Sequence, residues 1–157
     1  MAETRDHIYT VDCRWKGSTG EGYEAYTREH EAAAPPAEGE LMLSSDPHYR
    51  GDPKLLNPEQ LLVMAAASCQ MLSFLAVAAR KRLNVVEYED HAEGVMPEQD
   101  KPMRIARIML RPRIVIDGPA DPGTVENLVH LAHGHCFIAN SLKTDIRIEP
   151  QIVILKL

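Results

Sequence analysis

Asn57-Pro58-Glu59-Gln60-Leu61-Leu62-Val63-Met64-Ala65-Ala66-Ala67-Ser68-Cys69-Gln70-Met71-Leu72-Ser73-Phe74-Leu75 is the stretch on which the reading of this chain turns. Asn57 is a helix-capping residue type, Pro58 suits the first helical position, and Gln60 stands three residues after the cap, where its side chain reaches back. The spacing predicts one long helix to about Arg82, where Arg80-Lys81-Arg82 complements the negative end of the helix dipole. By length, Leu61 to Ala79 would span a bilayer. The polar Ser68, Cys69, Gln70 and Ser73, and the many alanines, argue instead for the central helix of a globular core, apolar nearly all round because it is covered on most sides.

Around this helix the pattern is mostly of period two. His7 to Trp15 alternates as a strand, Gly17 to Gly22 is a turn, and Tyr23 to Glu31 reads as the return arm of a hairpin. Leu41-Met42-Leu43 is a short strand and Ser44 to Leu56 a loop. After the helix come strands at Val85–Val95 and Ile105–Asp117. The second has Ala106, Ile108, Leu110, Ile114 and Ile116 on one face, with Arg107, Arg111 and Arg113 on the other; Pro112 marks an edge or bulge. Asp121-Pro122 opens a second helix that Gly134 ends, and Ile146 to Leu157 is a last strand interrupted at Pro150. The order predicts one α+β domain over 1–157, a twisted antiparallel sheet wrapped around a long buried helix.

The 157 residues suffice for a real core, and 45% hydrophobic with 25% charged residues is ordinary for a soluble protein. A net charge of −6 opposes binding to nucleic acid or to an anionic membrane surface. The N-terminal residues lack the apolar run of a secretory signal, and three cysteines are too few for a disulfide scaffold; reduced thiols in the cytoplasm are the expectation.

Chemistry is sought at Cys69, inside the long helix, and at Cys136, which closes Leu131-Ala132-His133-Gly134-His135-Cys136-Phe137. Cysteine is often an inert core residue. A mid-helix thiol gains little from its own helix dipole, and burial raises its pKa. A reactive Cys69 is therefore expected to need a cation, and arginine stays charged when buried. Arg50, just upstream, and Arg28, on the second expected strand, are the candidates. Glu59 is the carboxylate to hold that arginine, but it lies ten residues, about 15 Å, along the helix from Cys69. Paired helices of a two-fold dimer would remove that difficulty. Cys13 reads as structural. His133, His135 and Cys136 are zinc-type ligands without a completing set, and the chain has no phosphate loop or nucleophile-elbow motif.

Asn57-Pro58-Glu59-Gln60-Leu61-Leu62 with Ala66-Ala67-Ser68-Cys69, and a second cysteine in Cys136-Phe137-Ile138-Ala139-Asn140-Ser141-Leu142, resemble the OsmC/Ohr family of osmotically inducible and organic-hydroperoxide-resistance proteins. The element order agrees along almost the whole chain. The resemblance implies an intertwined homodimer and a thiol peroxidase acting on organic hydroperoxides or hydrogen peroxide in oxidative-stress defence. Cys69 would be the peroxidatic cysteine, Cys136 the resolving one, and Glu59 the residue that holds an arginine, Arg50 or Arg28. A dithiol, such as the lipoyl group of a lipoylated protein, would be the reductant; no metal, flavin or haem is required. Met64, Met71, Leu72, Phe74 and Phe137 either line a pocket for the peroxide or are plain core. Phe137 stands where the family often has proline, and the loop from Ala32 to Leu56 fits the broader OsmC-like branch. The competing readings are a small-ligand-binding protein without turnover on the same fold, a metal enzyme, and a cysteine hydrolase with a histidine base.

Overall fold

A computed structural model describes residues 5–155 and shows an α+β chain in two compact units, Met1–Pro58 and Glu59–Leu157. The last two residues of the expected C-terminal strand lie outside the described residues.

In the N-terminal unit β1 (Asp12–Arg14), β2 (His30–Ala33) and β3 (Leu41–Leu43) form an antiparallel sheet in the order β1-β2-β3. Both arms of the expected hairpin are shorter than their alternation suggested. The reason on the second arm is Arg28. Its guanidinium stacks on the rings of Tyr26 and Tyr23, 3.8 and 4.5 Å from their centroids, and donates to both residues' carbonyl oxygens. These contacts curl the chain, so Arg28 precedes β2 instead of lying on it. The segment after β3 is an ordered loop. A single 3-10 turn at Pro47–Tyr49 is capped by Asp46, whose side chain accepts from the His48 N–H. The Ser44 hydroxyl accepts from the Asp52 N–H, and Ser44 N–H donates to Leu56 O. Gly51 is required here: a Cβ would lie 1.6 Å from Ser45 O.

The C-terminal unit is built on α1 (Pro58–Arg80), close to its expected bounds. Its length and composition would cross a membrane. Its packing is that of a core helix: Phe74, Val77 and Ala78 meet Ile114 and Ile116 and, from α2 (Pro122–Gly134), Val125, Val129 and Ala132. Nearer its start, Ala66 packs with Ile108 and Leu110. Gln70, fully buried, donates its amide to Val129 O at 3.1 Å.

Three long strands expected from the sequence each appear as two: β4 (Val85–Asp90) and β5 (Glu93–Val95), β6 (Arg107–Leu110) and β7 (Pro112–Asp117), β8 (Asp145–Ile148) and β9 (Gln151–Leu155). They pair as two three-stranded sheets, β4-β7-β9 and β5-β6-β8. The register is nevertheless continuous across the break. Arg107 faces Asp145 and Arg113 faces Gln151 at the same offset, and Glu93–Met109 continues the alignment of Asp90–Pro112. One ribbon has been bent at Pro112 and Pro150, neither of which has an N–H to give to a ladder. The amide of Arg111, at the bend, donates to Asp90 Oδ1 at 2.7 Å. The antiparallel expectation holds for β4–β7 and β5–β6, whereas β6–β8 and β7–β9 are parallel because α2 and the short α3 (Phe137–Ser141) carry the chain back as a crossover. The apolar face named in the sequence is the buried one: Ile108, Leu110, Ile114 and Ile116 are at most 1% exposed.

Gly94 in β5 allows the sheet to approach α1; an added Cβ would lie 2.5 Å from Val63 Cγ2. Gly94→Ala is expected to lower stability by about 1–3 kcal/mol through this overpacking, measured as a reduced urea midpoint with an unchanged slope.

Candidate functional site

α1 places Cys69 half-buried on its inner side, and Ser73, one turn on, projects from the same side. α2 begins at Asp121, whose carboxylate accepts from the Thr124 N–H at 2.8 Å, and runs to Gly134. Two residues later the chain turns into α3. Cys136 is the N-terminal cap of α3, its sulfur accepting from the Ala139 N–H at 3.5 Å, and it is 1% exposed. This arrangement brings Cys69 and Cys136, far apart in sequence, into hydrogen-bonding contact as free thiols.

The two sulfurs are electrostatically unlike. Burial pushes Cys69 upward, but the backbone N–H of Ile138, the thiol of Cys136, the N–H of Phe137 and the hydroxyl of Ser73 all donate to it, and together they hold its pKa below the ordinary cysteine value. Cys136 is raised, first by burial and further by its position as donor to Cys69 and by the Cys69 charge, against the opposing amides of Ala139 and Ile138. The result is one thiol disposed to ionise and a neighbour disposed to keep its proton. The expectation that only a cation can activate a mid-helix cysteine is thereby corrected. Amide dipoles from a second helix, aimed at the sulfur, favour its thiolate.

Glu59 is in the first turn of α1, and its Oε2 is buried with no hydrogen-bond partner among the described residues. Arg28 and Arg50 belong to the N-terminal unit, and each is engaged there. Arg28 is held by the two tyrosines, and Arg50 pairs with Glu24. Arg50 also caps the 3-10 turn with φ +67°, a left-handed conformation uncommon for a residue with a side chain. Among the described residues no group of three or more His, Cys, Asp or Glu is placed to hold a metal ion. His135 caps α2, while His133 is half-buried with its pKa lowered by burial and by His130. Of the five apolar residues named for a peroxide pocket, Phe74 is a fully buried core residue, whereas Met64, Leu72 and Phe137 are exposed.

The family model described as OsmC-like protein matches residues 51–151, which carry α1, Cys69, Cys136 and the elements from β4 to β8, and end at the first residue of β9. The chain belongs to this family. Its fold is similar to that of an OsmC-like protein of unknown function from Vibrio cholerae, with a TM-score of 0.83 at 30% identity over 92% of this chain and 99% of that one. An organic hydroperoxide resistance protein OsmC from Legionella pneumophila shares the fold at TM-score 0.65 and 17% identity, over 94% and 99% of the two chains. The uncharacterized protein YmaD of Bacillus subtilis is 23% identical over 96 residues, 59% of this chain; the match spans 64% of that relative's length.

In this OsmC-like chain the sequence pointed to Cys69, Cys136 and Glu59 but missed Ser73 and the amides of Phe137 and Ile138. Ser73 was findable, being four residues from Cys69 on a helix. The amides were not, because cysteine is not a usual capping residue and α3 has only five residues.

Alkylation of the reduced protein with iodoacetamide across pH 6–10, followed by peptide mass, is expected to show Cys69 reacting with an inflection below that of a free cysteine and Cys136 with one above it. Because the negative charge of Cys69 contributes to the Cys136 shift, Cys69→Ser is expected to move the Cys136 inflection downward but not to the free value, burial remaining.

Proposed function

We propose that this OsmC-like protein is a cysteine-based peroxidase that reduces organic hydroperoxides and hydrogen peroxide. The observation that carries this reading is the asymmetric pair: a half-exposed Cys69 with lowered pKa in contact with a buried Cys136 with raised pKa. The Cys69 thiolate attacks the distal peroxide oxygen, the O–O bond breaks, and the alkoxide leaves as an alcohol after taking a proton. Cys69 is left as a sulfenic acid. The Cys136 sulfur then attacks the Cys69 sulfur, a disulfide forms, and the oxygen leaves as water. An external dithiol, a lipoyl group being the chemical class favoured by the family resemblance, restores both thiols by exchange and is itself oxidised to a disulfide. The lowered pKa of Cys69 favours its thiolate, and the neighbouring Cys136 limits further oxidation of the sulfenic acid. The cycle requires a reducing compartment, in keeping with the cytoplasm.

The buried, unpartnered Glu59 Oε2 supports the further reading that Glu59 receives an arginine in the working assembly, Arg50 or Arg28 supplying it. That assembly is proposed to be a homodimer. Met64, Ser68 and Leu72 lie at successive turns on one exposed face of α1, and Phe137 beside the site is 78% exposed. A second copy of the chain would cover such a stripe.

With excess cumene hydroperoxide and dihydrolipoamide, the wild-type protein is expected to turn over, and Cys69→Ser to lose activity by at least about 1,000-fold. Cys136→Ser is expected to consume about one peroxide per chain and to accumulate a dimedone-reactive sulfenic acid. Wild-type protein that consumes no peroxide beyond a Cys69→Ser control would favour the binding-protein reading. For the assembly, sedimentation equilibrium is expected to give twice the monomer mass, and Leu72→Arg to shift it toward the monomer; a wild-type monomer at all concentrations would overturn the dimer.

A further inference from the structure

Where α2 gives way to α3 the backbone hydrogen bonds are reassigned, and the reassignment involves a residue that the cycle above does not use. In an uninterrupted α-helix the Phe137 N–H would donate to His133 O and the Ile138 N–H to Gly134 O, each four residues back. Cys136, at φ −72° and ψ 110°, breaks that ladder. The two amides donate to the Cys69 sulfur instead. Two carbonyls at the end of α2 are thereby left over, and each is taken by another donor. His133 O accepts from the Cys136 N–H at 3.1 Å, and Gly134 O accepts from Asn140 Nδ2 at 3.2 Å.

The Asn140 side chain thus occupies the acceptor that the Ile138 N–H would otherwise have. Its backbone is tied to the same turn. The Asn140 N–H donates to Cys136 O at 3.0 Å, next to the Ala139 N–H that donates to the Cys136 sulfur at 3.5 Å. One residue therefore closes the first turn of α3 with its main chain and holds the last residue of α2 with its side chain. Asparagine suits both tasks, since its amide nitrogen only donates and its short side chain competes with the helical backbone for partners. Asn140 and Gly134 are both exposed, so the bond between them is not there to satisfy a buried group.

We propose that Asn140 is a positioning residue: by holding Gly134 O it keeps α2 from running on through Cys136, and so leaves the Phe137 and Ile138 amides facing Cys69. Without that side chain Gly134 O is open to the Ile138 N–H. The competing arrangement is a continuous helix in which both amides turn back onto their own backbone and Cys69 loses two of its donors. The other groups that act on Cys69 are the Cys136 thiol, from the same turn, and Ser73, from α1. As a role in turnover, this rests on the peroxidase reading above.

The test is the pH profile of Cys69 alkylation by iodoacetamide in the full-length protein, with the modified peptide followed by mass. In Asn140→Ala the rate below the inflection is expected to fall about tenfold, the thiolate lost when the inflection moves up by about one pH unit. The deficit should vanish above the inflection, where Cys69 is ionised in both proteins. Asn140→Gln, which keeps an amide donor, should recover most of the rate. Ser141→Ala removes a different side-chain bond of the same short helix, to Phe137 O at 2.7 Å, and leaves Gly134 O held, so its profile should match the wild type. A wild-type profile in Asn140→Ala, a deficit of the same size at every pH, or an equal loss in Ser141→Ala would overturn the proposal. The unaltered protein supplies a check that depends on no variant folding: the amide proton and nitrogen signals of Phe137 and Ile138 are expected to shift through the Cys69 inflection, and signals that stay fixed would overturn it as well. Cumene hydroperoxide separates the two readings. If the wild type consumes no peroxide while the alkylation profiles differ as stated, the peroxidase reading fails and the role of Asn140 survives. If wild type and Asn140→Ala consume peroxide equally and alkylate alike, the peroxidase reading stands and the role of Asn140 fails.

Discussion

A sulfur that is to carry a negative charge inside a protein must be solvated by something other than bulk water. In this chain the solvation of Cys69 comes from the N–H groups of Phe137 and Ile138 and from Ser73 and Cys136. Much of the C-terminal unit serves to hold those donors in place. α2 must end at Gly134 so that the chain can turn, and Cys136 must cap α3 so that its first amides point at α1. The buried contacts of Val125, Val129 and Ala132 with Phe74 and Ile114 fix α2 against the helix that carries Cys69. The same few ångströms that lower Cys69 also raise Cys136, so one packing arrangement sets both thiols.

The bent ribbon has a comparable economy. Pro112 and Pro150 interrupt the ladder without disturbing its register, and the two halves pack on two separate sets of α1 residues, around Ala66 and around Phe74. A flat strand of that length would not follow a helix of 23 residues. The bend leaves the Arg111 amide without a strand partner, and Asp90 satisfies it with one oxygen. The other oxygen stays buried with no hydrogen-bond partner among the described residues.

The long helix, the second helix with its Asp121 start and Gly134 end, and the apolar face from Ile108 to Ile116 were legible because period and caps are local properties of the sequence. So was the pairing of Cys69 with Cys136, though only through the family resemblance, since nothing local joins residues in different helices. Less was legible where tertiary contacts override pattern. The alternation from Tyr23 to Glu31 does not make a strand because Arg28 finds two tyrosine faces and two carbonyls. The parallel pairs are invisible to periodicity, which reports faces and not partners. The activation of Cys69 was misjudged for a related reason: the sequence shows side-chain charges, whereas the groups acting on this sulfur include two backbone amides. Arg28 and Arg50 are both paired within the N-terminal unit, and Oε2 of the Glu59 that was expected to hold one of them is buried with no hydrogen-bond partner among the described residues.

The central claim is that Cys69 and Cys136 form one redox pair, and disulfide mapping tests it most directly. Reduced protein would be treated with one equivalent of cumene hydroperoxide, quenched with an alkylating agent within seconds, digested and examined by mass spectrometry. The account predicts a cross-linked peptide pair joining Cys69 to Cys136, with Cys13 alkylated as a free thiol. Cys69 and Cys136 both recovered alkylated, or Cys69 joined instead to Cys13, would contradict it.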